Sequence, residues 1–294
     1  MKNAENKLIL LFVINPGSGN NQINWALEIT NYFAQTHHTI ELYTLSKEFK
    51  LGPLKSKIKS LSPDQVIAVG GDGTIKLVAE CLMHTNIKMG MLPAGSANGL
   101  AKELGISEVP SEALDVVLKG YSKKIHVTEI NKEICIHLSD IGLNAYAIKM
   151  FETQGIRGMW GYLMATIKVL LQNPILEVEM RIDGKLIKTK AAMIIVANAT
   201  KYGTGLEVNP IGKLDDDLFE VIVIKKISPL EIFKRAFTNE DYDSEKTEVF
   251  QTNALTMTSR KKVHFQIDGE YLGKVTKIKA NILINALDIV VPES

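Results

Sequence analysis

The sequence has few cysteines, no long apolar run and almost no net charge, and each shortage narrows the range of functions. Two cysteines in 294 residues, Cys81 and Cys135, cannot build a disulfide framework, and no Cys or His stands at metal-ligand spacing. We expect both to be buried thiols of a reducing, cytoplasmic compartment. The formal net charge of +1 gives no reason to expect a nucleic acid partner.

The absence of long apolar runs argues against a membrane-spanning segment. No stretch approaches the ~18 uninterrupted apolar residues that a crossing helix needs. The first run, Leu8–Ile14, is only about as long as the shortest signal-peptide cores, and no small-residue cleavage site follows it, so it predicts a first β-strand. With 46% hydrophobic and 23% charged residues, the composition is that of a globular enzyme with room for two domains.

The stretch 64–74, which reads DQVIAVGGDGT, predicts a strand, a glycine loop and the start of a helix. Val66 to Val69 form a short buried strand, and the apolar residues after Thr74 recur at helical spacing. Glycines let the backbone approach a ligand, and the first N–H groups of a helix attract anions. Asp72 would repel a phosphate unless a divalent cation lay between them. The pattern favours a metal-bound polyphosphate, although an ordinary tight turn has the same composition.

Strands and helices alternate through the first 125 residues, which predicts a parallel sheet covered by helices on both faces. The strands are Leu8–Ile14, Thr39–Thr44, Val66–Val69 and Lys88–Leu92. Ligands of such sheets bind at the carboxyl ends of the strands. Three of these ends carry Gly- and Ser-rich loops, at 15–19, 70–74 and 93–98. Three such loops on one edge indicate a binding site rather than turns alone.

The second half is dominated by short alternating runs separated by Gly, Asp and Asn, which predicts an antiparallel sandwich or barrel. The runs are Ile125–Ile130, Ile134–Ile141, Leu176–Ile182, Ala191–Ala197, Phe219–Ile224 and Val263–Ile267. Helical stretches are expected at Ile156–Leu171 and Pro229–Phe237. We predict a first domain over 1–127 and a second over 128–281, with a strand within 282–294 that can return to the first domain.

The ordered motifs resemble those of the diacylglycerol kinase/sphingosine kinase catalytic family. The resemblance rests on Asn15–Gly19, Gly70–Thr74 and Pro93–Asn98, and it covers nearly the whole chain. It continues with Asn198, Gly203, Gly205, Pro210, Asp216-Asp217-Leu218 and Asp268-Gly269-Glu270. It implies an α/β fold: a phosphofructokinase-like parallel-sheet domain, a mainly antiparallel β-sandwich domain, and an active site in the cleft between them.

The family resemblance also implies an activity and roles for individual residues. The activity is that of an ATP-dependent lipid kinase that phosphorylates the hydroxyl of a membrane lipid such as diacylglycerol, at the membrane surface, in lipid metabolism and phospholipid biosynthesis. Glu270 would be the general base, and Asp72 would help to fix Mg²⁺ on the phosphates. A structural Mg²⁺ would be bound by Asp216 and the backbone oxygens of Lys213 and Leu218. ATP would be held by Asn15, Pro16, Gly17, Ser18, Gly19, Thr44, Gly70, Gly71, Asp72, Gly73, Thr74, Gly95, Ser96 and Asn98.

Four positions depart from the family pattern, and two other functions stay open. Lys76 and Leu77 stand where Asn and Glu are usual, and Ala97 and Asp217 stand where Gly is usual. The glycine motif is shared with NAD kinases, and a nucleotide- or lipid-binding module without turnover is the other alternative. The apolar helix at 155–172 is either a packed core helix or a wall of the lipid site that touches the membrane. We expect brief membrane contact, held more by apolar contact than by electrostatics; the acceptor lipid and the oligomeric state stay open.

Overall fold

The structure is a computed structural model that falls into two compact units. It describes residues 6–19, 23–46, 50–154, 168–169, 175–202, 206–207, 209–226 and 246–293. One unit comprises residues 1–125, 203–205 and 285–294, and the other comprises residues 126–202 and 206–284. The predicted helix at Pro229–Phe237 lies outside the described residues, as do Gly203 and Gly205. Of the predicted helix at Ile156–Leu171, only residues 168–169 are described, and they are helical.

The first unit is built on a parallel sheet, as the sequence predicts. Its strands are β1 (Ile9–Ile14), β2 (Thr39–Thr44), β3 (Gln65–Gly70) and β4 (Lys88–Pro93). They lie in the order β4-β3-β1-β2, and all three pairings are parallel. Every residue of β3 is buried. A strand buried on both faces is expected where helices cover both sides of a parallel sheet.

Five helices lie within the described residues of this unit. They are α1 (Trp25–Phe33), α2 (Leu51–Leu61), α3 (Asp72–Leu82), α4 (Gly99–Glu103) and α5 (Pro110–Lys119). The Asn24 side chain caps α1 by accepting a hydrogen bond from Leu27 N, and α2 ends at Ser62 in the left-handed region. The helix α5 was not predicted from the sequence, although Pro110 at its first turn and the buried Ala113, Leu114 and Val117 are typical helix signals.

The second unit is mainly antiparallel. Its strands begin with β5 (Tyr121–Ile130), which starts in the first unit, and end with β16 (Glu270–Val291), which finishes there. Between them lie β6 (Glu133–Cys135), β7 (Leu138–Gly142), β8 (Leu176–Ile182), β9 (Lys185–Ala191), β10 (Met193–Ala197), β11 (Lys201–Tyr202), β12 (Leu206–Glu207), β13 (Phe219–Ile224), β14 (Thr247–Thr252) and β15 (Ala254–Ile267). One helix, α6 (Leu143–Gln154), follows β7.

The sheet of the second unit runs in the order β14-β13-β10-β7-β15, and β15 also pairs with β8 and β16. Residues of β8 alternate strictly between buried and exposed, as expected for a strand with one face on a core. The core contains Met180, Val221, Met257 and Phe265, among others. Val169, in the described remnant of the apolar helix, is buried against Leu143 and Ala147.

Several predicted strand boundaries are wrong. The run Ile134–Ile141 is two strands, because the backbone bends at Ile136 and His137, whose N–H groups both bond to the Asp268 carboxylate at 3.1 and 2.9 Å. The run Ala191–Ala197 likewise breaks after Ala191 into β9 and β10. The strands β9 and β14 and the helix α6 were not predicted. The strand β15 is much longer than the predicted run Val263–Ile267, and β16 begins well before the strand predicted within 282–294.

The end of β16 is a strand of the first unit. Ile289 pairs with Met89 of β4 in parallel, and the Ser122 hydroxyl donates to the Asp288 carboxylate. Both cysteines are buried and unbridged, as predicted. Burial raises the pKa of the Cys81 thiol to about 11, so this thiol stays protonated near neutral pH. Within the described ranges, the helices lack the length and apolar character needed to cross a bilayer.

Candidate active site

The three Gly- and Ser-rich loops lie at one edge of the parallel sheet of the first unit. The loop 15–19 follows β1, the turn at Gly71 follows β3, and the loop 94–98 follows β4. Because β1 and β4 both pair with β3, these loops leave three neighbouring strands on the same side. Thr44 ends β2 beside Ile14 and is exposed. The structure therefore brings the predicted nucleotide residues of the first unit to one edge.

Glycine allows these loops to touch each other through their backbones. A Cβ on Gly95 would lie 2.5 Å from the Gly71 Cα, and a Cβ on Gly19 would lie 2.4 Å from the carbonyl oxygen of Ala94. Gly19 also has a φ of +60°, which other residues adopt at a cost. These glycines are thus required for loop-to-loop contact. Gly73 differs, because a Cβ there would meet no heavy atom within 4 Å.

Asn15 and Thr74 join the first and second loops. The Asn15 side chain donates to the Thr74 hydroxyl at 3.0 Å and accepts from Gly17 N at 2.9 Å. Thr74 is buried, and a Cβ on Gly70 would lie 2.3 Å from its hydroxyl oxygen. Gly70 therefore leaves room for Thr74, and the bond between Asn15 and Thr74 fixes the first loop to the second.

Asp72 joins the second and third loops. Its two carboxylate oxygens accept hydrogen bonds from the backbone N–H groups of Gly99 and Leu100, at 3.1 and 3.3 Å. These N–H groups belong to the first turn of α4, which has no partner for them within the helix. Asp72 therefore stabilises the start of α4, a role that the sequence alone did not reveal.

Asn98 holds the third loop in shape. It is buried and left-handed, with a φ of 53°. Its side chain accepts from Gly95 N at 2.8 Å and donates to Gly95 O at 2.9 Å and to the Glu108 carboxylate at 3.0 Å. The bond from Asn98, together with the charge of Lys102, holds the pKa of Glu108 below its usual range. Asn98 is thus a scaffold residue, whereas the neighbouring Ser96 is exposed.

Glu270 lies at the tip of the β15–β16 hairpin in the second unit. Ile267 pairs with Glu270, and the two loop residues, Asp268 and Gly269, have φ values of 51° and 87°. Positive φ at both positions defines a type I′ turn, for which Asp-Gly is a preferred sequence. The Asp268 carboxylate anchors this turn to the bend at Ile136 and His137. Glu270 is exposed at the end of a fixed hairpin.

A buried polar network underlies the hairpin. The Asp140 carboxylate accepts from Ala145 N at 2.8 Å and from the side chains of Asn144 and Gln266. The Gln266 side-chain oxygen accepts from Gly269 N at 2.8 Å. Burial raises the pKa of Asp140 to about 6, and the bonds from Asn144 and Gln266 limit the rise. The network links the first turn of α6 to the residue before Glu270. Neither Asp140 nor Gln266 was predicted from the sequence, although an acid inside an apolar strand is a signal of a buried polar site.

The predicted metal loop, which holds Lys213, Asp216 and Leu218, is held by His126. His126 N donates to Leu214 O at 2.7 Å, and its ring nitrogen lies 3.2 Å from the Asp217 carboxylate. Leu218 N approaches the Asp216 carboxylate at 3.4 Å. Asp217 is absent from the left-handed residues, so its replacement of the usual Gly introduces no strain of that kind. Among the described residues, no three His, Cys, Asp or Glu side chains are grouped as a metal centre.

Comparisons with known proteins match both halves of the chain. The family model described as diacylglycerol kinase catalytic domain matches residues 9–130. The model described as YegS C-terminal NAD kinase beta sandwich-like domain matches residues 140–291.

Individual relatives give the same picture. A diacylglycerol kinase of Bacillus subtilis is 26% identical over 239 residues, covering 78% of this chain and 78% of that protein. One of Staphylococcus aureus is 26% identical over 221 residues, covering 72% and 70%. A crystal structure of a diacylglycerol kinase from Bacillus anthracis has a TM-score of 0.75 at 18% identity, covering 97% of each chain. A second structure from that organism has a TM-score of 0.81 at 18% identity, covering 99% and 98%. At this identity, the structures establish a shared fold.

Proposed function

The chain belongs to the family that joins a diacylglycerol kinase catalytic domain to a YegS-type C-terminal domain, and from this membership we propose that it is an ATP-dependent lipid kinase. It transfers the γ-phosphate to the hydroxyl of a membrane lipid such as diacylglycerol. The observation that carries the proposal is the convergence of three glycine loops, in backbone contact, at one edge of the parallel sheet.

The loops supply the groups that a nucleotide phosphate needs. Phosphoryl transfer depends mainly on positioning and on neutralising charge. In the first turn of α3, Thr74 N and Ile75 N bond to Gly71 O, whereas the N–H groups of Asp72 and Gly73 precede the first intrahelical bond and can face a phosphate. Gly73 also leaves open space where a side chain would stand. The exposed Ser96 hydroxyl and Thr44 add polar contacts. ATP supplies the transferred phosphoryl group; these residues bind and orient its phosphates.

Oxygen groups that suit Mg²⁺ occur in both units. Asp72 uses two acceptor sites for Gly99 and Leu100, and a carboxylate has about four. It can therefore also accept from water bound to Mg²⁺ on the phosphates. In the second unit, Asp216 with the carbonyl oxygens of Lys213 and Leu218 would hold a structural Mg²⁺. Carboxylate and carbonyl oxygens are the ligands that this ion prefers.

Glu270 is the proposed general base. It removes the proton from the acceptor hydroxyl as the phosphoryl group is transferred, because a carboxylate within hydrogen-bond reach can do this in the transition state. The type I′ turn and Asp268 limit the motion of the hairpin tip. Gln266 fixes Gly269 N directly before Glu270, so Gln266 and Asp140 are positioning residues.

The experiment that tests the proposal is a lipid phosphorylation assay. The protein is incubated with γ-labelled ATP, Mg²⁺ and mixed micelles that contain diacylglycerol, phosphatidylglycerol or a sphingoid base, and the lipids are then extracted into organic solvent. We expect label in the organic phase with at least one lipid. Label confined to water-soluble products with every lipid would contradict a lipid kinase. The pattern across lipids identifies the acceptor.

NAD kinase activity is the second candidate, because the C-terminal match is to an NAD kinase beta sandwich-like domain. The same labelled ATP, incubated with NAD⁺ in place of lipid, separates the two activities: NADP⁺ formation without lipid phosphorylation favours the second. ATP binding without transfer to either acceptor would favour a non-catalytic module, in line with the changes at Lys76 and Leu77.

A further inference from the structure

A cavity of about 530 Å³ opens in the second unit, and Glu270 is not among its lining residues. Its walls come from the start of α6, from the paired strands β8 and β9, and from residues 259–264 of β15. The proposed kinase mechanism uses none of the charged side chains that line it.

A bulge in β15 presents consecutive basic residues to this cavity. Thr258 pairs with Lys277 and Val263 pairs with Val275, so four residues of β15 lie opposite the single residue Thr276. Ser259, the first of the four, still pairs with Val178 of β8. The other three, Arg260-Lys261-Lys262, are exposed. We call these three residues the basic bulge.

The charges around the cavity are unbalanced. Among its described lining residues, the basic bulge and Lys190 contribute four positive charges, and Glu177 contributes one negative charge. The Glu177 carboxylate lies 3.1 Å from Lys190 Nζ and 3.7 Å from an Arg260 guanidinium nitrogen. The bond from Lys190, followed by the charges of Arg260 and Lys261, holds the pKa of Glu177 below its usual range. One carboxylate cannot neutralise four cations, so the cavity attracts an anion.

The rest of the lining is apolar and aromatic. Ile175, one of the lining residues, is 45% exposed. The rings of Tyr146 and His264 stack with centroids 4.3 Å apart and an interplanar angle of 11°. Burial and the charges of Lys274 and Lys149 lower the pKa of His264 to about 4, so this ring is neutral at pH 7. Cationic side chains beside a stacked aromatic pair and an exposed aliphatic side chain fit an amphiphile with an anionic head.

We propose that this cavity is a binding site for the phosphate headgroup of an anionic membrane lipid, with the basic bulge on the phosphate and Ile175 on the adjoining apolar part. A free phosphate ion would make no use of the exposed Ile175, whereas a lipid would. The net charge of the whole chain, +1, does not reveal this site, because the local positive charge comes from three consecutive residues. Membrane contact at this cavity is therefore electrostatic as well as apolar, and it weakens as salt rises.

The test is vesicle binding in the absence of ATP, so that its result does not depend on the kinase proposal. The wild-type protein is sedimented with vesicles of phosphatidylcholine alone, or with phosphatidylcholine containing about one third phosphatidylglycerol, a fraction that gives a strongly anionic surface. The variant replaces the basic bulge (Arg260→Gln, Lys261→Gln, Lys262→Gln). The control removes three exposed lysines of the first unit (Lys55→Gln, Lys59→Gln, Lys88→Gln). Circular dichroism and melting temperature check that both variants fold, and Lys261→Gln alone provides a milder change.

We expect the bulge variant to lose about a hundredfold in affinity for anionic vesicles, since each basic residue near such a surface contributes about fivefold. The control should lose much less, and binding to phosphatidylcholine alone should be equal in all three proteins. Ile175→Ser should weaken binding to anionic vesicles without changing its salt dependence. Equal losses in the bulge variant and the control would overturn the proposal. Bulge-dependent binding of inorganic phosphate, with vesicle binding unchanged, would overturn the lipid as the source of the phosphate.

Discussion

The carboxylate of Asp72 lies 3.1 Å from the backbone N–H of Gly99, so the acid of the glycine loop after β3 fixes the start of the helix that follows β4. Together with the contact between Gly71 and Gly95, this bond makes the second and third loops one structure. Asp72 therefore has a structural role, in the bonds to Gly99 N and Leu100 N, as well as its proposed role with Mg²⁺.

Asp72→Asn tests both roles at once. Asn keeps one oxygen and loses the other as an acceptor, so one of the two bonds to Gly99 and Leu100 is lost, and we expect a loss of about 1 kcal/mol in the free energy of unfolding. If Asp72 also holds Mg²⁺ on the phosphates, turnover should be abolished, a far larger effect. Thermal unfolding and kinase rate at saturating Mg²⁺ are measured on the same preparation. If the Asp72→Asn protein is slightly less stable but keeps most of its activity, Asp72 has only the structural role.

Glu270→Gln tests the general base. The exposed side chain at the hairpin tip makes no contribution to the core, so stability should be unchanged. We expect kcat to fall by about 10²–10⁴ with little change in KM. Asp268→Asn is the comparison, because it weakens the anchor of the same hairpin to Ile136 and His137. That variant should lose stability as well as activity. A change in KM alone for Glu270→Gln would make Glu270 a positioning residue.

Asp140 should give the protein a distinct dependence of stability on pH. Burial raises its pKa to about 6 in the folded state, above the value near 3.9 of an unfolded chain. The folded state therefore binds this proton more tightly, and its contribution to stability is full below about pH 4 and lost as pH rises through about 6. The difference is on the order of 3 kcal/mol.

The measurement is the free energy of unfolding by urea at several pH values for the wild type and for Asp140→Asn. Other carboxylates titrate in both proteins, so the wild type minus variant difference isolates Asp140. We expect this difference to fall by that amount between about pH 4 and pH 6. A difference that stays flat across the range would mean that Asp140 titrates alike in the folded and unfolded chains.

The parts of the fold that the sequence predicts are those in which the signal is local. Three of the four strands of the parallel sheet are largely apolar runs, each followed by a glycine loop, whereas β2 is more polar and only partly buried. The strand β3 and the start of α3 can be read from residues 64–74 alone. The same holds for the Asp268-Gly269 turn, which is a local preference. Local signals thus predict the sheet, its loops and the position of Glu270.

The parts that were missed depend on contacts distant in sequence. The bend that separates β6 from β7 is made by Asp268, more than 130 residues later. The partners of Asp72 lie 27 and 28 residues away. The strand β9 has lysines on its exposed face and few apolar residues, so its pairing with β8 supplies the strand character that its composition lacks. The three basic residues of the bulge can be read from the sequence, but only the pairing of β15 with β16 shows that they form a bulge in the strand.

Gly95 and Gly73 allow the packing of the loops to be separated from their ligand-binding role. Gly95→Ala would bring a Cβ to 2.5 Å from the Gly71 Cα. Backbone cannot yield as a flexible side chain does, so this variant should be destabilised and should bind ATP poorly. It serves as the packing control for a substitution at Gly73, with the unfolding curve and ATP affinity of both variants measured side by side.

Gly73→Ala should have the opposite effect on stability. Gly73 lies in α3 without a positive φ, and a methyl group added there would meet no heavy atom within 4 Å. The variant should therefore gain about 0.5–1 kcal/mol in the free energy of unfolding, as Ala does in helices. If the first turn of α3 binds phosphate closely, the same methyl group should weaken ATP binding, measured by calorimetry. A more stable protein with weaker ATP binding supports the phosphate site. A more stable protein with unchanged ATP affinity would mean that Gly70–Thr74 is an ordinary turn.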